Sequence, residues 1–331
     1  MKQTPVEELF HVFDETANLL VNELNCTYLE ALAETGENIF HNQVLQDEVS
    51  EMTKKRLDKY YFALSKESHA KEDVRRAFQL AILKGMRQNV QPNHQMTPDS
   101  IGMLVSYILS KFMADKKAFT LLDPAIGTAN LVTTIMNYMF DHKIHAYGVE
   151  IDDLLIQLAY VSANLQEHTI ELHNQDSFEE LFIDPVDVVV SDLPVGYYPN
   201  DERARNFKLM ADQGHSYAHH LFIEQSTRYT KEGGFLFFIV PNNLFETPEA
   251  PKLQNYIKEH LHMQALLRLP ESMFKNKNAA KSILVLQKQK EGLKPPKEVL
   301  LADLPSLANK EQMKQILAKM ELWFKENKSN H

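Results

Sequence analysis

Apolar residues along roughly the first ninety positions recur every three to four residues, the spacing of one helix face. In VEELFHVFDETANLLVNEL, Leu9, Val12, Phe13, Leu19 and Leu20 fall on such a face. TYLEALAETGENIF, EVSEMTKKRLDKYYFALSKE and KEDVRRAFQLAILKGMRQ continue the rhythm, with no strand pattern between them. From about residue 97 the period changes. Short apolar, β-branched runs (FTLLD, HAYGVEI, TIELH, VDVVVSD, GGFLFFIVP, QALLRLP and KSILVLQK) alternate with longer stretches. TANLVTTIMNYMFDH, DDLLIQLAYVSANLQEH, SYAHHLFIEQSTRYTKE and APKLQNYIKEHL read as helices, and a last helix over about 309–327 carries the single tryptophan, Trp323.

Alternating strands and helices predict an α/β fold, a parallel sheet covered on both faces. Nearly unbroken apolar strands fit burial on both sides. Between the last two runs lies only ESMFKNKNAAK, with no convincing helix, so the seventh strand is expected to return antiparallel. The pattern divides the chain into an all-helical domain, residues 1–92, and an α/β domain with a C-terminal helix, residues 93–331. NVQPNHQMTP (89–98) reads as the linker.

Charge changes this picture in one respect. The net charge is −10, so the whole chain is not a natural binder of phosphate backbones, and any such contact must be local. Residues 1–52 hold eleven acids and one base, whereas residues 53–95 hold ten bases and four acids. The second stretch is either a set of solvated helix faces or a basic surface for a polyanion or an acidic partner. With one cysteine, Cys26, the chain has no internal disulfide and no cysteine-type zinc cluster. No run of eighteen apolar residues and no signal-peptide core stand out, so a cytoplasmic protein without membrane contact is expected.

Acids cluster where strands end. Asp123 closes the first strand in LLDPAIGTANL, and the small Gly127 lets backbone approach a ligand. The following helix N-terminus offers free N–H groups to a polar ligand. Neither GxGxxG nor GxxxxGK is present, so the loop is not a standard dinucleotide or triphosphate loop. Glu150 ends the second strand, 27 residues after Asp123, where an acid can bind two ribose hydroxyls. Asp176, after the third strand, can accept from an adenine amino group, with Phe178 covering the ring. Asp192 ends the fourth strand. Ligands of open α/β sheets sit outside these carboxyl ends. His215, His219 and His220 include an i, i+4 pair, but no third ligand of matching type is evident, and no metal is expected. DERARNFK (201–208) and FKNKNAAK (274–281) are basic loops that either meet phosphates or are simply solvated.

The order of these motifs resembles class I S-adenosylmethionine-dependent methyltransferases of the N6-adenine DNA methyltransferase branch. The nearest likeness is to type I restriction modification subunits and YtxK-like proteins, over about residues 90–290. DPAIGTANL resembles the DPxxGxGxL loop, with Ala129 at the usual second glycine. QMTP resembles the segment covering the methionine end of the cofactor, and SDLPVGYY stands where the (N/D/S)PP(Y/F/W) catalytic motif belongs.

The resemblance implies a Rossmann-like seven-stranded sheet, its last strand antiparallel, behind a helical domain. It implies S-adenosyl-L-methionine as cofactor, bound by Thr97, Pro98, Asp123, Ala125, Gly127, Thr128, Glu150, Ile151, Asp176, Ser177, Phe178 and Asp192. Asp192, Pro194 and Tyr197 become the catalytic candidates. The motif's first side chain and a backbone carbonyl accept hydrogen bonds from the target amino group, and an aromatic fourth residue stacks on a flipped base. Here Leu193 replaces a proline and Val195 the aromatic residue, which leaves Tyr197 or Tyr198 to supply a ring. The implied acceptor is adenine in DNA, with RNA adenine or a protein amide as alternatives. A cofactor-binding protein that has lost catalysis is a further alternative. Sequence-specific DNA methylation also needs a target-reading domain or a partner subunit. After residue 290 only a short helical tail follows, which leaves the N-terminal bundle or a partner subunit as the candidate reader.

Overall fold

The computed structural model describes residues 4–65, 68–88 and 96–327, so most of the expected linker, residues 89–95, lies outside the described residues. Four helices come first: α1 (Pro5–Leu24), α2 (Tyr28–His41), α3 (Glu51–Ser65) and α4 (Lys71–Gln88). Next come α5 (Asp99–Phe112), β1 (Ala118–Asp123), α6 (Asn130–Tyr138), β2 (Lys143–Glu150), α7 (Asp153–Leu165), β3 (Ile170–Asn174) and β4 (Val186–Asp192). The chain continues through α8 (Asp201–Ala204), α9 (Ala218–Arg228), β5 (Thr230–Pro241), α10 (Ala250–His260) and β6 (Leu261–Arg268). It finishes with β7 (Lys281–Lys288), β8 (Leu300–Asp303) and α11 (Lys310–Asn327).

Among the described residues the sheet has eight strands in the order β3-β2-β1-β4-β5-β7-β6-β8, one more than the seven expected. The additional strand, β8, is four residues long and pairs parallel with β6, Ala265 opposite Leu300. Its short LLAD segment carries too few residues for a period to register. β7 runs antiparallel to both β5 and β6, as the short connection implied.

The fold divides into two compact units. One comprises Met1–Gly102, Ile126–Phe140 and Gly148–Asn174. Its first two helices start at capping boxes, in which the Thr4 and Thr27 hydroxyls accept from the N–H of Glu7 and Glu30 and each glutamate accepts back. Both helices end in a left-handed asparagine, Asn25 and Asn42. Glu23 holds the start of α3, accepting from the Ser50 N–H at 3.1 Å and the Thr53 hydroxyl at 2.6 Å. The core includes Phe13, Leu20, Leu32, Leu57 and Phe78, with the Phe13 and Phe78 rings edge to face at 5.3 Å. Leu158 and Val161 of α7 belong to the same core.

Close approach of α2 to α7 depends on Gly36, where an added Cβ would lie 2.0 Å from Val161 Cγ1. Because Val161 is itself buried, it has nowhere to go. Gly36→Leu is therefore expected to destabilise the chain by about 1–3 kcal/mol through overpacking, read as a lower urea midpoint.

The other unit comprises Met103–Ala125, Asp141–Tyr147 and Gln175–His331. Its centre is β1, β4 and β5, parallel, with Leu121 opposite Val188 and Asp192 opposite Ile239. Phe112 from the end of α5 packs on Phe235, Phe237 and Phe324, and Trp323 donates its indole N–H to the Glu298 carbonyl at 2.7 Å. No described helix is long and apolar enough to cross a membrane.

Candidate cofactor and acceptor site

In the first unit, Glu150 stands at the tip of β2. Its Oε2 accepts from the Gly127 N–H at 3.0 Å, and its Oε1 accepts from the N–H groups of Ile151 and Asp152, also at 3.0 Å. One carboxylate thus holds the glycine loop against the entry to α7. Three donors leave acceptor capacity on a carboxylate with about four lone-pair sites. Gly127 has φ +55°, and a Cβ there would meet nothing within 4 Å. Ala129 has φ +63°, the left-handed conformation that explains why the family pattern has a glycine there. Thr128 is buried, and Ile151 is 67% exposed, a large apolar side chain beside Glu150. The Thr97 carbonyl accepts from Asn130 Nδ2 at 2.9 Å, and the Pro98 carbonyl accepts from Ile101 and Gly102 at the start of α5.

In the second unit, Asp123 is buried at the tip of β1. Its Oδ1 accepts from the Ala125 N–H at 3.0 Å and the Ser191 hydroxyl at 2.7 Å, which fixes the turn into the glycine loop. The Ser177 hydroxyl donates to the Pro124 carbonyl, tying the segment after β3 to the same turn.

Asp176 is more heavily engaged than its sequence position suggests. Its Oδ2 accepts from the Tyr198 hydroxyl at 2.5 Å and Arg203 Nη1 at 2.6 Å, and its Oδ1 from the Phe178 N–H at 3.0 Å. Arg203 also reaches Glu179 at 2.7 Å. Phe178 is buried in an aromatic cluster with Tyr198, Phe207 and Phe222. Burial, together with the bond to Asp176, pushes the Tyr198 phenol up to about 12.

Asp192 closes β4 and pairs with Lys281 Nζ, the first residue of β7, at 2.6 Å. Leu193 is buried, and its N–H donates to the Ile239 carbonyl at 3.1 Å, so the residue at the motif's first proline position serves the core and the sheet. Pro194 is exposed, as is Val195 at 56%. Tyr197 is 63% exposed and stacks on Tyr217 with ring centroids 5.1 Å apart. Of the two tyrosines, Tyr197 therefore presents a ring and Tyr198 is internal. The loop is closed by Tyr198 N–H to the Ser216 carbonyl and Ala218 N–H to the Gly196 carbonyl.

Several contacts were not legible in the sequence. Lys281 and Arg203 sit in the two basic loops, but each is turned onto a carboxylate rather than left to meet a phosphate. Tyr217 and Ser191 carried no signal of their own. His219 and His220 are buried, and among the described residues no group of three or more His, Cys, Asp or Glu could hold a metal ion. Neither ring nitrogen of His219, nor Nε2 of His220, has a hydrogen-bond partner.

These two imidazoles give the fold an acid limit. Burial lowers the His219 pKa to about 4, and burial, with His219 alongside, lowers that of His220 to about 3. An unfolded histidine protonates near 6.5, so between that pH and the folded values the unfolded chain binds more protons. Stability is then expected to fall as pH drops below 6.5, by up to roughly 1.4 kcal/mol per pH unit for each ring. Thermal melts from pH 7.5 to 4.5 measure this, and His219→Phe should flatten the slope.

Residues 87–328 match the family description "N-6 DNA Methylase", and residues 7–86 match "YtxK N-terminal helical domain". The uncharacterized protein YtxK of Bacillus subtilis is 50% identical, the alignment covering 99% of this chain and 100% of YtxK. A Listeria monocytogenes protein, described as a candidate class I S-adenosylmethionine-dependent methyltransferase, has a crystal structure that superposes with a TM-score of 0.91. It is 50% identical, with 97% of this chain and 99% of that one covered. The type I restriction-modification methyltransferase subunit of Streptococcus thermophilus shares the fold, with a TM-score of 0.64 at 17% identity, over 96% of this chain and 74% of that one. By sequence match over most of its length, this chain belongs to the N-6 DNA methylase family.

Proposed function

We propose that this chain is an S-adenosylmethionine-dependent N-methyltransferase whose acceptor is the amino group of adenine in DNA. The observation that carries the reading is Asp192, a carboxylate at the tip of β4 where the family's amino-binding motif begins, held in place by Lys281. The residues present suit the cofactor. Gly127 leaves open space where any side chain would intrude, Glu150 is a fixed carboxylate for ribose hydroxyls, and Ile151 offers an apolar surface to a flat ring. Asp123, Ala125, Thr97, Pro98 and Thr128 would frame the ribose and methionine, and Asp176, Ser177 and Phe178 the adenine end. S-adenosylmethionine supplies an electrophilic methyl group on a sulfonium, which needs no metal.

Asp192 accepts a hydrogen bond from the acceptor's amino group. That contact keeps electron density on the nitrogen and compensates the positive charge it gains in the transition state. Pro194 stiffens the loop, and Tyr197 offers an exposed face for a base. The family's modification subunits support a separate target-reading partner. The two separate family matches, over residues 7–86 and 87–328, support the division into a helical domain, 1–92, and a catalytic domain, 93–331.

One observation favours a second reading, a cofactor-binding protein without transferase activity. Val195 occupies the stacking position, and the nearest exposed ring, Tyr197, is already stacked on Tyr217. Two measurements separate the readings. Calorimetry should detect S-adenosylmethionine binding and none with NAD or ATP; absence of binding defeats both. Tritiated methyl transfer should then label DNA in preference to RNA and cell-extract protein, and label in none of them would leave only the second reading.

A further inference from the structure

The helical bundle contributes a side chain that reaches the segments expected to hold the cofactor. Arg75, on α4, is 1% exposed, the largest side chain buried to that degree among the described residues. Its Nε and Nη2 meet the two carboxylate oxygens of Glu72 at 2.8 and 2.7 Å. Its Nη1 donates both to Asp99 Oδ1 at 3.0 Å and to Asn130 Oδ1 at 2.7 Å. Asn130 in turn donates from Nδ2 to the Thr97 carbonyl at 2.9 Å. A guanidinium has only donors, so it fixes which end of the Asn130 amide faces it and aims the NH2 at Thr97.

The positions in sequence give this cluster its meaning. Asp99 is the first residue of α5, directly after Thr97 and Pro98. Asn130 is the first residue of α6, directly after the loop that carries Gly127, Thr128 and the left-handed Ala129. One planar fork therefore grips the starts of two helices, each preceded by a cofactor-loop candidate. Burying an ion cluster is a poor route to stability, because desolvation offsets most of the attraction, but it demands a definite geometry. Burial alone would raise the Asp99 carboxyl, yet the Arg75 guanidinium draws it below the usual carboxylate range, so the pair is charged.

We infer that Arg75 is a positioning residue for the cofactor site, setting the Thr97–Pro98 segment and the Gly127–Asn130 loop relative to each other through Asp99 and Asn130. This rests on the reading of those segments as cofactor-binding. It gives the bundle a role of its own: α4 is part of the frame of the site, and whatever displaces α4 alters affinity for the cofactor. Glu72 extends the frame, since its Oε2 also accepts from Asn137 of α6 at 3.2 Å.

Two variants test it, Arg75→Lys and Asn130→Ala. Lysine keeps the charge but is a point donor that cannot span Glu72, Asp99 and Asn130 together. Asn130→Ala spares the Arg75 ion pairs and removes only the link to Thr97 and α6. Each should weaken S-adenosylmethionine binding at least tenfold by calorimetry. Each should also raise amide hydrogen exchange at both 97–102 and 127–133 in the chain without cofactor. Leu20→Ala, a bundle-core variant, serves as the control that lowers melting temperature without weakening binding. Affinity within twofold of the parent in both variants, or a lower melting temperature with unchanged exchange at the two segments, overturns the inference. If Arg75→Lys does not fold, Asn130→Ala decides alone. If the parent chain binds no S-adenosylmethionine, the cofactor reading fails, and the exchange measurement still decides whether Arg75 holds the two segments.

Discussion

Asp192→Ala is expected to lower kcat for methyl transfer by about 10²–10⁴-fold, the range seen when one positioned proton acceptor or charge-stabilising group is removed. S-adenosylmethionine affinity should change by no more than a few fold, because Glu150, Gly127 and Asp176 carry most of the expected cofactor contacts. The substitution also strands the Lys281 ammonium, 2.6 Å from the missing carboxylate and mostly buried, so a loss of stability is expected alongside. Asp192→Asn separates the two effects. It retains a carbonyl acceptor, and asparagine is allowed at that place in the family motif, so appreciable activity should survive. Rates measured with radiolabelled cofactor at saturating acceptor, with calorimetric affinities in parallel, decide the matter. Full activity in Asp192→Ala would remove this residue from the mechanism.

Glu150→Leu is the second large effect, and it falls on binding. The parent carboxylate accepts from three backbone N–H groups, on Gly127, Ile151 and Asp152. Leucine cannot accept from any of them. The glycine loop loses its tie to the tip of β2, and the ribose hydroxyls would lose the acceptor proposed for them. Charge-assisted hydrogen bonds contribute about 1.5–3 kcal/mol each, so losing a bidentate ribose contact predicts at least a hundredfold weaker binding. The stability cost is smaller, about 1–3 kcal/mol, because Glu150 is only half-buried and water can serve part of the exposed backbone. Glu150→Gln, which keeps one acceptor oxygen, should lie between. A Glu150→Leu chain that bound S-adenosylmethionine like the parent would place the ribose elsewhere.

The sequence carried the frame of this molecule because its signals are local. Apolar periodicity marks α1 to α4, and the β-branched runs mark β1 to β7. The acids at strand tips need no partner to be seen. What was hidden depends on residues far apart in the chain. DSIGMLVSYILSKF forms α5, a helix absent from the sequence expectations, in which Gly102 interrupts the apolar positions. Lys281 meets Asp192 across 89 positions, Arg75 meets Asn130 across 55, and Arg203 meets Asp176 across 27. In sequence each looks like an ordinary surface base. Tyr197 and Tyr198 are neighbours of the same type, and only the fold separates the exposed ring from the buried hydroxyl. The charge pattern of residues 53–95 was ambiguous for the same reason: Arg75 and Lys84 are bound internally, to Glu72 and Asp14 among others.

The reversed direction of β7 has a practical side. The chain leaves the sheet at Arg268 and re-enters at Lys281, where the Leu269 N–H donates to the Lys281 carbonyl at 3.0 Å and closes a hairpin. The connection thus ends at the lysine that pairs with Asp192. Its residues from Glu271 to Lys277 are partly or fully exposed. A segment spliced there would lead directly into Lys281, the partner of Asp192, without changing the length of any strand. For anyone wishing to retarget this scaffold, that hairpin is a socket into which a recognition element can be grafted.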